Sequence, residues 1–160
     1  MNIPVTLNGE HIILEDSPDR TLLSVLRRIK LLSVKRGCEK GICGTCTILL
    51  DGKPVPSCKV PVALAKDRSI ETLEHFQKTD EYSDIIKGFN KAGIKLCGFC
   101  NAGKIFAART IILSNTKPTR SSIQEQVKHL SPCCTDEDTL INGIIYAFDY
   151  HIKRLELQEN

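Results

Sequence analysis

The sequence predicts an α+β protein in which a small mixed sheet clasping one helix precedes a helical part. Three observations carry this. Short strand-like runs joined by Asn-Gly and Asp-Gly turns occupy residues 1–76, three- and four-residue apolar periodicity occupies 82–155, and the eight cysteines are divided between the two stretches.

The strands come first. Ile3 to Leu7, the Asn8-Gly9 turn and His11 to Leu14 make a strong short-range hairpin signal. Thr21 to Leu31 then predicts a helix, with Leu22, Leu23, Val25, Leu26, Ile29 and Leu32 mainly on one face and Arg27, Arg28 and Lys30 on the other. After a cysteine-rich loop, Thr47 to Leu50 reads as a strand. An Asp51-Gly52 turn leads into a second strand through Val55 to Val62, and a short run follows near Ile70 to Leu73.

Beyond residue 82 the period becomes helical. Ile85, Ile86 and Phe89 mark one helix, and Gly103 to Leu113 another, stopped by Pro118. Ser121 with Gln124, or Ser122 with Glu125, reads as a capping box opening a third. The last helix is the clearest, because Leu140, Ile141, Ile144, Ile145, Phe148, Ile152 and Leu155 recur on one face, which reads as core. The charged tail after Arg154 reads as a solvated end.

The chemistry lies in the cysteines. Cys38, Cys43, Cys46 and Cys58 stand at C-x4-C-x2-C-x11-C, the ligand frame of a plant-type [2Fe–2S] cluster. Three ligands must come from one tight loop, and Gly37, Gly41 and Gly44 suit a backbone that needs positive φ angles and close approach around a cluster. Amides there would point at sulfur, with Lys35, Arg36 and Lys40 adding positive charge nearby. Disulfides belong to short secreted chains, and MNIPVTLNGEHI has no apolar signal core. Zinc on Cys43-x2-Cys46 with Cys97-x2-Cys100 is the better rival, but it leaves Cys38 and Cys58 without a role.

Cys97 and Cys100 precede one predicted helix, and Cys133 and Cys134 precede the last. Thiolates there face positive helix N-termini, so two such loops brought together by helix packing can offer four sulfurs to a second cluster. The competing reading is two buried cysteine pairs.

Composition narrows the rest. With 41% hydrophobic and 26% charged residues in 160, this is an ordinary globular chain of one or two small domains. A net charge of +3, from 22 basic against 19 acidic residues, is too balanced for a nucleic-acid partner, and 5% aromatics without Trp removes stacking platforms. No apolar run approaches the roughly eighteen residues of a membrane span. Reduced cysteines, no signal core and no twin-arginine start point to the cytoplasm. Neither G-x-G-x-x-G after a strand nor G-x-x-x-x-G-K-[ST] is present. His11, His75, His129 and His151 are scattered and read as surface or core residues.

Taken together, NG near the start, LSVLR, SVKRGCEKGICGTCTILLDGKPVPSC, TLE, CGFC with Gly103 and a final CT before a helix resemble the iron–sulfur subunit of the molybdenum hydroxylases, the xanthine dehydrogenase and aldehyde oxidoreductase family. The resemblance spans about residues 3 to 150. It implies a β-grasp ferredoxin-like domain at 1–76 and a four-helix-bundle domain at 82–155, each with one [2Fe–2S] cluster, the second also involving Gly98 in CGFC. It further implies partner subunits carrying molybdenum–pterin and FAD, with this chain passing single electrons between them and no residue here acting as acid, base or nucleophile. The helical-domain cluster would lie nearer molybdenum, the ferredoxin-like one nearer FAD.

Three departures from the family pattern concern the second site. The family usually carries C-R-C-T, where this chain reads Pro132-Cys133-Cys134-Thr135. Either Cys133 replaces the missing ligand by a one-residue shift, or Cys134 binds with another fourth ligand, or this cluster is absent. Leu96 stands where the family usually has a pterin-contacting glutamine, and Asn101-Ala102 replaces Thr-Pro. The first site is intact, apart from Thr45 where alanine is usual.

Overall fold

The computed structural model describes residues 1–114, 116–130 and 133–160. It begins with a hairpin, β1 (Asn2–Leu7) and β2 (Glu10–Glu15), registered so that Ile3 faces Leu14 and Leu7 faces Glu10. Asn8 and Gly9 both hold positive φ, 51° and 87°, as a two-residue turn matched to strand twist requires. Ile3, Val5 and Leu7 alternate inward.

Helix α1 (Leu22–Arg28) is capped by the Thr21 hydroxyl, which accepts from the Ser24 N–H. It is shorter than predicted. Lys30 turns into the left-handed region at φ 69°, so Ile29 and Leu32 face solvent rather than the core. Leu22, Leu23, Val25 and Leu26 are fully buried beneath the sheet.

Strands β3 (Thr47–Leu50) and β4 (Lys53–Pro56) form a second antiparallel hairpin, and β5 (Ser69–Glu71) runs parallel to β1 and antiparallel to β3. The five-stranded order is β2-β1-β5-β3-β4. The strand predicted to reach Val62 ends instead at Pro56. Prolines 54 and 56 donate no ladder hydrogen bond and sit on the edge strand, and the chain then coils into 3₁₀ turns at Ser57–Lys59 and Val62–Ala65. That coil carries Cys58 inward. Glu71 also ends β5, after which Leu73–Phe76 form a single helical turn, α2, that the periodicity did not reveal. The mixed sheet with α1 against it is the expected β-grasp arrangement.

Four helices follow: α3 (Asp80–Lys91), α4 (Asn101–Ile112), α5 (Arg120–Val127) and α6 (Glu137–Glu159). They form the expected bundle around Phe89, Phe106, Ile123, Ile141 and Ile144. Helices α3 and α6 meet where Gly88 lies on the backbone of Ala147, a contact that leaves no room for a Cβ. Asp84, buried in the same interface, accepts from Arg154 Nε at 2.9 Å and lies 3.1 Å from His151 Nδ1. Helix α5 does carry a capping box, but its partners are Thr119 and Ser122 rather than Ser121 or Ser122 with later Gln124 or Glu125. Helix α6 continues to Glu159, beyond the core stripe, and its final turns are exposed.

Helix α4 decides how the two halves meet. It is buried on nearly every side, and Leu49 of β3 belongs to the same apolar cluster as the bundle. The fully buried set on α4 includes a charged residue, Lys104.

Candidate metal centres

The loop between α1 and β3 is closed at its base by the Lys35 N–H, which donates to the Thr45 carbonyl at 3.1 Å. Inside it, Cys38 Sγ accepts from the N–H groups of Lys40 at 3.3 Å and Cys43 at 3.4 Å, while Cys43 Sγ accepts from the Cys38 N–H at 3.4 Å. Backbone donors from Ile42, Lys40 and Cys43 hold the Cys38 thiol down to about 6. The expectation that amides here point at sulfur is met in the geometry. Lys35 is half-buried, whereas Arg36 and Lys40 extend into solvent, and Arg36 is engaged with Glu39.

Cys58 enters from its 3₁₀ turn, held in place by the Ser57 hydroxyl, which donates to the Cys46 carbonyl at 2.7 Å. Burial pushes the Cys58 thiol up to about 11, with the neighbouring Cys46 adding to the rise and the Gly41 N–H opposing it. Sulfurs that discourage one another's ionisation become a full set of thiolates only when a cation sits among them.

The glycines serve this loop in different ways. Gly41 and Gly44 hold φ of 82° and 79°, as expected. Gly37 does not need positive φ; its constraint is space, because a Cβ there would lie 2.7 Å from Cys43 Sγ and 2.5 Å from Thr45 Oγ1. Gly98 does hold positive φ, 88°, but its N–H donates to Asn101 Oδ1 rather than to sulfur. Thr45, buried at 1% exposure, places its hydroxyl 3.2 Å from Cys43 Sγ. Its neighbourhood with sulfur was not legible in the motif.

The second group forms where α4 begins. Cys100 stands at the N-cap position of that helix, Cys97 lies one turn earlier, and the segment before α6 brings Cys133 and Cys134 to meet them. Cys97 Sγ lies 3.6 Å from both Cys100 Sγ and Cys133 Sγ, and Cys134 Sγ lies 3.2 Å from Cys100 Sγ. All four sulfurs fall within 4.8 Å of one another. The adjacent thiols of Cys133 and Cys134 therefore converge rather than diverge. Pro132, on which the departure from the family pattern turns, lies outside the described residues.

Backbone N–H groups of Cys100 and Phe99 hold the Cys97 thiol down to about 6, while burial pushes Cys100 and Cys134 up. Cys97 and Cys100 are gathered with Cys133 and Cys134 and not with Cys43 and Cys46, so the two-knuckle zinc site is not assembled. Among the described residues no histidine joins this group; His151 lies against Asp84, His75 pairs with Glu71, and His11 meets Thr6. Leu96 packs against the bundle core. Among the described residues no helix is long and apolar enough to cross a membrane.

Both donor sets suit iron–sulfur clusters. One is a loop with amides aimed at sulfur, glycines where side chains would collide and a closing cysteine from a separate turn; the other is four thiols at the positive end of a helix.

Comparison with known proteins agrees. A "2Fe-2S iron-sulfur cluster binding domain" model matches residues 5–73, and a "[2Fe-2S] binding domain" model matches 72–144. The chain is 36% identical over 150 residues to the nicotinate dehydrogenase small FeS subunit of Eubacterium barkeri, covering 93% of this chain and 96% of that one. It is 35% identical over 148 residues to the xanthine dehydrogenase iron-sulfur-binding subunit of Escherichia coli O157:H7, covering 91% and 92%. A chain in the crystal structure of quinoline 2-oxidoreductase from Pseudomonas putida 86 superposes with a TM-score of 0.84 at 33% identity, with 96% of each chain covered. The chain belongs to the family of [2Fe–2S] small subunits of the molybdenum hydroxylases.

Proposed function

We propose that Cys38, Cys43, Cys46 and Cys58 hold one [2Fe–2S] cluster and Cys97, Cys100, Cys133 and Cys134 a second, within domains at 1–76 and 82–155. The chain is the electron-transfer subunit of a xanthine dehydrogenase-like oxidoreductase and contributes no catalytic residue. Clusters bound at these sites supply one-electron transfer between a partner subunit carrying molybdenum–pterin and one carrying FAD.

The observation that carries the reading is the convergence of Cys133 and Cys134 on Cys97 and Cys100. It supports the one-residue shift over loss of the cluster. The chain's own work is to hold eight thiols in fixed frames, keep N–H donors on the sulfurs, and keep the two sites in one rigid contact. Substrate choice belongs to the molybdenum partner. Leu96, packed against the bundle core, carries no side-chain amide donor toward a neighbouring pterin, so a side-chain contact of the family's usual kind is missing. A cytoplasmic location suits eight thiols that must stay reduced until metal arrives.

Iron and acid-labile sulfide per chain, with EPR after reduction of anaerobically prepared complex, test this directly. Two distinct signals and the iron of two clusters are expected. One signal and half that iron would overturn the second site. In the complex, Cys43→Ser should stop electron flow to flavin while substrate still reduces molybdenum, and undiminished flavin reduction would refute the relay.

A further inference from the structure

Lys104 stands one helical turn after Cys100 on α4 and is only 1% exposed. A lysine this deeply buried is rare, because removing an ammonium from water costs several kcal/mol unless negative charge or strong acceptors surround it. Here the ammonium donates a hydrogen bond to the Cys100 sulfur, and its charge also acts on Cys133 and Cys134. Four residues after Cys100 on the same helix, it lies buried beside the sulfur that Cys97, Cys133 and Cys134 also approach. Cys100 itself occupies the N-cap position of α4, so this sulfur also lies at the positive end of that twelve-residue helix.

The first site is charged differently. Arg36 and Lys40 are exposed to water, and Arg36 is engaged with Glu39. Sulfur there is served chiefly by uncharged backbone N–H groups, from Lys40 and Cys43 to Cys38 and from Cys38 to Cys43.

Reduction of a [2Fe–2S] cluster takes up one electron and adds one unit of negative charge, with no bond to the protein made or broken. A fixed cation in low dielectric favours the form with more negative charge, and cluster potential follows net charge, hydrogen bonds to sulfur and exposure to water. Resting on the two-cluster reading above, we infer that Lys104 is a positioning residue that raises the reduction potential of the second cluster above the value the same site would have without that charge. The one electron it gains comes from the partner that oxidises substrate, and it is released to the first site.

The test is an EPR-monitored redox titration at fixed pH on the purified complex, comparing unmutated chain, Lys104→Met and Lys104→Arg, with iron measured on each sample. The second cluster's signal is identified as the one that Cys97→Ser abolishes. Lys104→Met, close in shape but neutral, should weaken reduction of that cluster at least tenfold, equivalent to about 59 mV for a one-electron couple. The first cluster's midpoint should stay where it is, and Lys104→Arg should recover most of the loss. An unmoved midpoint in iron-replete Lys104→Met overturns the assignment, as does an equal shift of both clusters. If Lys104→Met and Lys104→Gln both lose the cluster while Lys104→Arg keeps it, the charge is needed for assembly and the tuning role is overturned. Absence of a second signal from the unmutated chain would instead overturn the two-cluster reading itself.

Discussion

Gly44 and Gly103 stand face to face: a Cβ on Gly103 would lie 2.9 Å from the Gly44 carbonyl oxygen, and one on Gly44 would lie 3.3 Å from Gly103 Cα. Gly44 lies between Cys43 and Cys46 in the first site, and Gly103 lies three residues after Cys100 in the second. This backbone contact between the two halves is thus also a link between their cysteine frames, with Leu130 packed beside it.

Gly103→Ala forces backbone against backbone at that contact, where no side-chain movement relieves it. Overpacking of this kind costs roughly 1–3 kcal/mol. A lower Tm is expected by circular dichroism, together with altered coupling between the two EPR signals. An unchanged Tm would mean that the halves separate without cost.

Cys133→Ser and Cys134→Ser should each remove the second EPR signal and about half of the iron, since a site that has lost one of four ligands seldom retains its cluster. The first signal should persist. Retention of both signals in Cys133→Ser would show that Cys134 works with a different fourth ligand.

The Thr45 hydroxyl, 3.2 Å from Cys43 Sγ, places a polar hydrogen beside one sulfur of the first site. Thr45→Val keeps the shape and removes that hydrogen. Hydrogen bonds to sulfur help set the potential, so the first cluster's midpoint should fall, the second's should not, and Thr45→Ser should restore it. Equal midpoints for Thr45→Val and the unmutated chain would assign the hydroxyl to the Lys35 carbonyl, 3.4 Å away.

Glu74 ties the β-grasp half together. Burial raises its carboxyl, but hydrogen bonds from Ser33 and Thr72 outweigh burial and hold it below the ordinary carboxylate range. A depressed folded-state pKa adds stability that is full above the unfolded value of 4.5 and is lost as pH falls through the folded value. Urea midpoints measured from neutral pH downward should therefore fall less steeply on the acid side in Glu74→Gln than in the unmutated chain. Parallel acid limbs would remove Glu74 from the account.

Local signals were enough for much of this fold. The Asn8-Gly9 and Asp51-Gly52 turns announce both hairpins because the two-residue connections place both residues at positive φ, which these types tolerate. The stripe on α6 is legible because one face of a long helix repeats often enough to stand above chance. The first cysteine frame is legible for a related reason: three ligands belong to one short loop, so spacing and geometry are nearly the same information.

What depends on distant segments was not legible. Ile29 and Leu32 keep the helical period of α1, yet the chain turns at Lys30 and leaves them in water. Val60 and Val62 look strand-like, yet the chain coils after Pro56 to deliver Cys58. The sequence by itself determined the cysteine frame, the hairpins and the helical second half, because each rests on contacts within a few residues. Tertiary structure alone decided whether Cys133 and Cys134 could reach Cys97 and Cys100, that Gly44 meets Gly103, and that Lys104 is buried beside sulfur. Those outcomes depend on how α4 is enclosed by sheet and bundle together, and burial on every side of a helix leaves no period for a sequence to display.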